Sequence, residues 1–327
     1  MSKSVLGIDI SKATFDVVLL TGERESHAVF ANQPAGFVAL SEWLGRRTEE
    51  PVHAGLEATG RYGDRLARYL YQAGHRVSLV NPARIKAYAE GQLRRNKTDK
   101  ADAAIIADFC RTQPVHLWQP PEPAYQELQA RVRHLQALKA MRQQEKNRLQ
   151  SDSPSPQVQS LIEQHLAFLH DQIAVLQHQI ADFIDQNATL RHQKDLLVSI
   201  PGIADLTAAT LLAEIQDVRR FENAKQLAAF TGLTPAHHRS GSSVRGRASL
   251  AKMGRASLRQ ALFFPAINAR RWNPIVRTFC QRLEERGKAP MVIICAAMRK
   301  LVHLVYGVLN HQQPFDPNYL TQSQVVA

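Results

Sequence analysis

The chain has 327 residues, enough for two domains with room for a helical insertion, and its 44% hydrophobic content excludes a disordered or low-complexity protein. Lys and Arg number 41 against 29 Asp and Glu, a net charge of +12 that favours a polyanionic partner, nucleic acid first. Cys110, Cys280 and Cys295 lie far apart with no metal-ligand spacing, so neither a disulfide framework nor a zinc site is indicated. The N-terminal apolar run is too short for a signal peptide and no stretch reaches about 18 apolar residues, so a soluble cytosolic chain without a membrane partner is expected.

In chain order, Val5–Ile10 and Phe15–Leu20 read as strands around a Ser-Lys turn. A third strand covers His27–Ala31 and a helix Gly36–Leu44. Val52–Leu56 is a further strand that runs into Glu57-Ala58-Thr59-Gly60. Arg61–Ala73 has helical spacing with Gly74 as its stop, Arg76–Val80 is a strand, Asn81-Pro82 a breaker and Thr98–Cys110 a helix. This succession predicts an α/β domain with a mixed sheet over residues 1–118.

Residues 119–192 differ in kind. Glu122–Gln150 is polar and helical, and Ser151-Asp152-Ser153-Pro154-Ser155-Pro156 breaks it. Beyond the break, Ile162, Leu166, Leu169, Ile173, Leu176, Ile180 and Phe183 fall at steps of four and three, an a/d seam that predicts a coiled-coil helical hairpin. The seam needs a partner, either the first arm (Leu128, Val132, Leu135, Leu138) or another subunit. Residues 193–327 predict a mainly helical domain. From Asn223 to Leu283 there is no Asp or Glu, while Lys225, Arg239, Arg245, Arg247, Lys252, Arg255, Arg259, Arg270, Arg271, Arg277 and Arg282 fall there. Such a patch predicts salt-dependent phosphate binding.

Asp9 sits in the first strand on the face opposite Leu6, Ile8 and Ile10, where a carboxylate is costly unless paired or bound to a metal. Glu57 ends the later strand, and Asp99 and Asp102 share one helix face. Together these four could hold Mg²⁺ or Mn²⁺, which prefer hard oxygen ligands. Each also has a plainer reading. Asp99 could favour the helix dipole behind a Thr98 cap, Asp102 could pair with Lys100 or Lys97, Glu57 could be a turn residue and Asp9 could pair with Lys12. Their order along the chain is also that of the ribonuclease-H-like nucleases.

The segment Ser240-Gly241-Ser242-Ser243-Val244-Arg245-Gly246-Arg247 combines small residues, which admit a phosphate, with guanidiniums that bind it; its serine is either a hydrogen-bond donor or a nucleophile. Arg239, Arg245, Arg247, Lys252, Arg255 and Arg259 are the candidate nucleic-acid contacts. Ser199-Ile200-Pro201-Gly202-Ile203 resembles the turn of a helix-hairpin-helix, or is a plain Pro-Gly turn.

Gly7-Ile8-Asp9 with Lys12, Glu57-Ala58-Thr59-Gly60 with Tyr62, and Asn96-Lys97-Thr98-Asp99 with Asp102-Ala103 resemble the three blocks of the DEDD transposases of insertion-sequence family 110. Ile200-Pro201-Gly202-Ile203, Phe230 through Pro235 and Ser240-Gly241-Ser242-Ser243 with Arg245-Gly246 match the later blocks, although Ala204 stands where the family has glycine. The resemblance implies a RuvC-like domain with metal-binding Asp9, Glu57, Asp99 and Asp102, a coiled coil, and a transposase domain whose Ser240 is the nucleophile. It further implies a site-specific recombinase that moves its own insertion sequence, a phosphoserine–DNA intermediate, donor and target duplexes, a structured guide RNA, a homo-oligomer (dimer or tetramer) and a place in the bacterial cytoplasm, at the nucleoid when active. The rival expectations are a Holliday-junction-type endonuclease using water, a non-catalytic nucleic-acid binder and a sugar-kinase or actin-like ATPase. The last lacks a convincing second phosphate loop.

Overall fold

The apolar runs of the N-terminal part pair into one mixed sheet. The computed structural model describes residues 4–57, 62–92, 98–150, 155–236, 239–240, 244–245, 249–250 and 254–318. The chain divides into two units, Met1–Pro120 and Pro121–Ala327. Among the described residues there are twelve α-helices and one five-stranded sheet, so the chain is mostly helical.

In the first unit, β1 (Ser4–Ile10), β2 (Thr14–Thr21) and β3 (Arg24–Ala31) form an antiparallel meander, followed by α1 (Pro34–Gly45). Then come β4 (His53–Glu57), α2 (Asp64–Gln72), β5 (Arg76–Val80), α3 (Pro82–Gly91) and α4 (Asp99–Thr112). The strand order is β3-β2-β1-β4-β5, with β4 parallel to both β1 and β5. Leu6, Ile8, Phe15, Val17 and Leu19 share one core with Phe37, Leu40, Leu66 and Leu70 of α1 and α2. Val5 on the other face packs with Ile105, Ile106 and Cys110 of α4. One helix departs from the sequence reading. Asn81-Pro82 starts α3 rather than breaking the chain, because the Asn81 side chain accepts from the Ala83 N–H (2.8 Å) and proline is suited to a first helical turn.

Two glycines decide how close α4 lies to the sheet. Gly7 and Gly55 are partners across β1 and β4. A Cβ on Gly7 would stand 2.1 Å from the Ala103 carbonyl oxygen and 2.3 Å from the Ala107 nitrogen; one on Gly55 would stand 2.3 Å from Cys110 Sγ. The helix therefore rests on bare backbone.

The second unit begins with the long helices α5 (Pro123–Gln150) and α6 (Pro156–Gln186). They run antiparallel, since Arg131 Nη1 donates to the Gln179 carbonyl (3.1 Å) while His165 Nδ1 lies 3.3 Å from Glu145. Ile162, Leu169, Ile173, Leu176 and Ile180 of the predicted seam are buried, as are Leu128, Val132, Leu135 and Leu138, so the seam is covered within the chain. Leu166 and Phe183 are only half-buried. Each fully buried side chain of this size contributes about 1.5–3 kcal/mol.

The chain continues through α7 (Ala188–Val198), α8 (Asp205–Ile215), α9 (Ala224–Phe230), the short strands β6 (Pro235–Ala236), β7 (Arg239–Ser240), β8 (Val244–Arg245) and β9 (Ser249–Leu250), and α10 (Ala256–Trp272), α11 (Pro274–Glu285) and α12 (Pro290–His311). The hairpin helices and these later helices share one hydrophobic core. By length and composition α12 could cross a membrane. Its Ile293, Ala297, Leu301, Val305 and Leu309 instead lie inside that core.

Candidate active site

Two groups of predicted site residues fall in different units. In the first, the two-residue period of β1 turns Asp9 onto the α4 face, half-buried, with Asp16 of β2 directly across from it. Thr98 caps α4, accepting from the Ala101 N–H (3.2 Å), and places Asp99 and Asp102 in the first turn. Because Gly7 lets α4 approach, that turn brings its carboxylates toward Asp9. Burial, then the like charges of Asp102, Asp99, Glu57 and Asp16, push the Asp9 carboxyl up to about 6. Lys100 reaches Glu25 (4.0 Å), whereas Lys97 lies outside the described residues.

Glu57 is the last residue of β4, opposite Val80 of β5. Asn32 donates both to the Ser11 carbonyl (2.9 Å) and to the Tyr62 carbonyl (3.3 Å), which ties the β1–β2 turn to the chain just after β4. Ala58, Thr59 and Gly60 of the second block, and Asn96 and Lys97 of the third, lie outside the described residues. Sequence reasoning missed Asp16 and His27, whose side chains lie 2.8 Å apart. The short β1–β2 turn was the signal that sets Asp16 against Asp9.

Among the described residues no three His, Cys, Asp or Glu side chains form a ready cage for a metal ion. The donor chemistry nevertheless fits a hard divalent cation. The acids acting on Asp9 are all carboxylates, with neither thiolate nor imidazole among them, and a cation would relieve their mutual repulsion.

The second group lies on a strand arm. Pro235 pairs with Leu250 and Ala236 with Ser249; further along, Arg239 pairs with Arg245 and Ser240 with Val244. Ser240 is thus the last paired residue before Gly241-Ser242-Ser243. Those three residues, with Gly246, Arg247 and Lys252, lie outside the described residues, and Arg239, Ser240 and Arg245 are placed by their backbone pairing alone.

The base of the arm is tightly closed. Gly254 has φ +116°, and a Cβ there would stand 2.4 Å from Gly232 Cα. The Arg255 N–H donates to the Phe230 carbonyl (2.9 Å), and its guanidinium lies 5.0 Å over the Phe230 ring and bonds to Glu214. Glu214, 2% exposed, also accepts from Arg133 Nε (3.2 Å). Arg220 lies 4.9 Å over the same Phe230 ring. Arg259 donates to the Thr231 carbonyl (3.4 Å). Arg255 and Arg259, two of the candidate phosphate contacts, therefore have protein partners at the foot of the arm.

The Pro201-Gly202 turn joins α7 to α8 and packs on α10. A Cβ on Gly202 would stand 2.8 Å from Ala269 Cβ, and Asn273 Nδ2 donates to the Pro201 carbonyl (3.4 Å).

Comparison with known proteins bears on both groups. The transposase family model for the DEDD type of IS110 matches residues 6–151, and that for the transposase IS116/IS110/IS902 family matches residues 194–281. The chain is 37% identical over 97% of its length to a pilin gene-inverting protein of Moraxella lacunata, covering 98% of that protein. It is 23% identical over 96% of its length to a transposase for the insertion sequence element IS1328 of Yersinia enterocolitica, again covering 98%. Among solved structures, T. thermophilus RuvC in complex with a Holliday junction substrate aligns with 36% of this chain and all of its own, at 15% identity and a TM-score of 0.27.

Proposed function

The chain belongs to the IS110 family of transposases, and from that premise we propose that it breaks and rejoins DNA at specific sites through Ser240, with Asp9, Glu57, Asp99 and Asp102 holding Mg²⁺ or Mn²⁺. The observation that carries this reading is the convergence of carboxylates from three elements on Asp9, in a chain whose full-length relative is named for inverting a gene. Inversion and transposition both need strands that are cut and rejoined. The sheet order β3-β2-β1-β4-β5, with three antiparallel strands followed by two parallel ones, supports a ribonuclease-H-like reading of the first unit.

In the proposed reaction Ser240 Oγ attacks a backbone phosphorus. A phosphoserine link forms, the P–O bond to the neighbouring nucleotide breaks, and that nucleotide leaves with a free hydroxyl. Attack on the phosphoserine by the hydroxyl of the exchanged strand re-forms a P–O bond and returns the serine, so no bond energy is lost. A divalent cation, when bound, stabilises charge on phosphate oxygens. Asp9, Glu57, Asp99 and Asp102 hold that cation in their ionised forms. Arg239, Arg245, Arg247 and Lys252 hold flanking phosphates, while Arg255 and Arg259 anchor the arm. Exchange between two duplexes calls for a homo-oligomer, and the family resemblance supports a structured guide RNA as the partner that selects the DNA.

The test mixes the full chain, Mg²⁺, the candidate RNA and a duplex carrying the element junction, and resolves the products on a denaturing gel. A protein–DNA adduct that maps to Ser240 and is absent in Ser240→Ala supports the reading. Cleaved ends without an adduct, undiminished by Ser240→Ala, refute it in favour of a water-using endonuclease.

A further inference from the structure

The outward side of α10 carries two of the most exposed aromatic side chains among the described residues. Its inward residues Leu258, Leu262, Ala266 and Ala269 belong to the core. Outward stand Phe264, 71% exposed, then Ile267, Arg271 and Trp272, the last 66% exposed. Phe264 and Arg271 are seven residues apart, so they lie on one helix face two turns apart. Phe264 is braced edge-on by Phe263 (5.4 Å between centroids), and the Arg271 guanidinium lies 4.9 Å from the Trp272 ring. Exposed aromatic rings of this size on a soluble chain mark an interaction site.

Charge selects the partner. The helix lies within the stretch from Asn223 to Leu283 that lacks any Asp or Glu. It carries Arg259, Arg270 and Arg271, of which Arg270 is taken by Glu284. A second copy would bring a like-charged face, whereas a polyanion would be attracted. Intact duplex DNA stacks its bases internally and offers no ring faces to Phe264 or Trp272. Unpaired bases do, and a flat aromatic side chain beside an arginine is the combination that binds them without regard to sequence. Phe264 and Trp272 are eight residues apart, about 12 Å along the helix axis and about 80° round it, a path of a few nucleotides that curves with the helix.

We infer that the exposed surface of α10 that runs from Phe264 and Arg271 round to Trp272 binds single-stranded DNA, the strand opened when two duplexes exchange. This inference rests on the reading of the chain as a DNA recombinase, and it adds a site for unpaired bases separate from the serine arm. The two aromatics stack bases, and Arg271 supplies phosphate attraction and a cation beside the stack.

The test uses the full chain in EDTA, to prevent cleavage, with fluorescence anisotropy on a labelled oligothymidylate of about 12 nucleotides and on a labelled duplex. The paired substitution Phe264→Ala with Trp272→Ala is expected to weaken the oligothymidylate at least about tenfold and the duplex less than about twofold. Phe264→Tyr with Trp272→Tyr, which keeps the rings, is expected to restore binding, and Arg271→Ala is expected to flatten the single-strand salt dependence by about 0.7 in slope. The inference is overturned if both DNAs weaken equally, if oligouridylate RNA of the same length binds more tightly than the DNA, or if the alanine pair lowers the oligomeric mass, which would make the face an interface between copies. Failure of the unmodified chain to bind either DNA would instead overturn the recombinase reading and the inference with it.

Discussion

Glu214→Ala tests the claim that the serine arm is held by a buried ion cluster. Glu214 is 2% exposed and receives Arg133 from α5 and Arg255 from the end of the arm. Deleting it strands two guanidiniums against the low-dielectric interior. Breaking a fully buried pair costs about 3–5 kcal/mol. Here the Arg133 and Arg255 side chains are 32% and 37% exposed and regain some water, which lowers the expected loss to about 2–3 kcal/mol. For a unit of this size that is a fall of roughly 4–12 °C in Tm. Glu214→Gln keeps an acceptor oxygen but no charge and should lose about 1 kcal/mol. The assay is calorimetric and urea unfolding of the full chain, combined with a double-mutant cycle against Arg255→Ala, where a coupling of about 1–2 kcal/mol is expected. A loss below about 0.5 kcal/mol, or a coupling near zero, would show that the arm is not anchored there. If the anchor also positions Ser240, the adduct yield of Glu214→Gln should fall at temperatures where the variant is still fully folded.

Four further outcomes follow from the same geometry. Folding raises the Asp9 pKa from 3.8 to about 6, so the native chain loses stability as pH rises across that interval; Asp9→Asn removes the loss. Discounted for half-exposure, the variant should be more stable by on the order of 1 kcal/mol above about pH 6 and no more stable below about pH 4, while losing DNA cleavage; thermal scans across that range check it. Gly7→Ala forces α4 off β1 and should cost roughly 3 kcal/mol along with the metal-dependent activity, read by urea unfolding and the gel assay. The Cys110 thiol, pushed up to about 12 by burial, should resist iodoacetamide at about pH 8 in the native chain and react once it is unfolded, as mass spectrometry would show. Arg245→Ala should lower the slope of log affinity for duplex against log salt by about 1, whereas Arg255→Ala should leave the slope unchanged and lower the Tm.

The N-terminal sheet was legible because its strands are short local runs rich in Val, Ile and Leu, and the observed boundaries differ from those of the sequence reading by three residues at most. Asp9, Asp99 and Asp102 were legible for a local reason too, since strand alternation and a Thr98 cap fix where they point. The nearness of α4 to Asp9 was not, because it depends on Gly7 and Gly55 being partners across two strands 48 residues apart in sequence. The strand pairing of Ser240 is not legible in the sequence, because the ladder segments are two residues each, shorter than any periodic pattern can register. Glu214 was invisible altogether: its partners lie 81 and 41 residues away, and nothing in Ala213-Glu214-Ile215 marks the glutamate as buried.

Charge counting has the same limit. The acid-free stretch suggests that its cations all face a polyanion, but a guanidinium has two separable properties, a charge and a flat donor surface, and folding spends them differently. Arg255 uses both on Glu214 and Phe230, Arg259 gives a donor to the Thr231 carbonyl, and Arg270 is taken by Glu284. Their contribution to DNA affinity is then indirect, through the rigidity of the arm they hold. Arg271, stacked beside Trp272 on an open helix face, keeps its charge for a ligand. A basic run of this kind is therefore both scaffold and interface. The absence of acids matters for the scaffold as well, because a competing carboxylate near Arg255 would offer it an alternative to Glu214 and let the arm move.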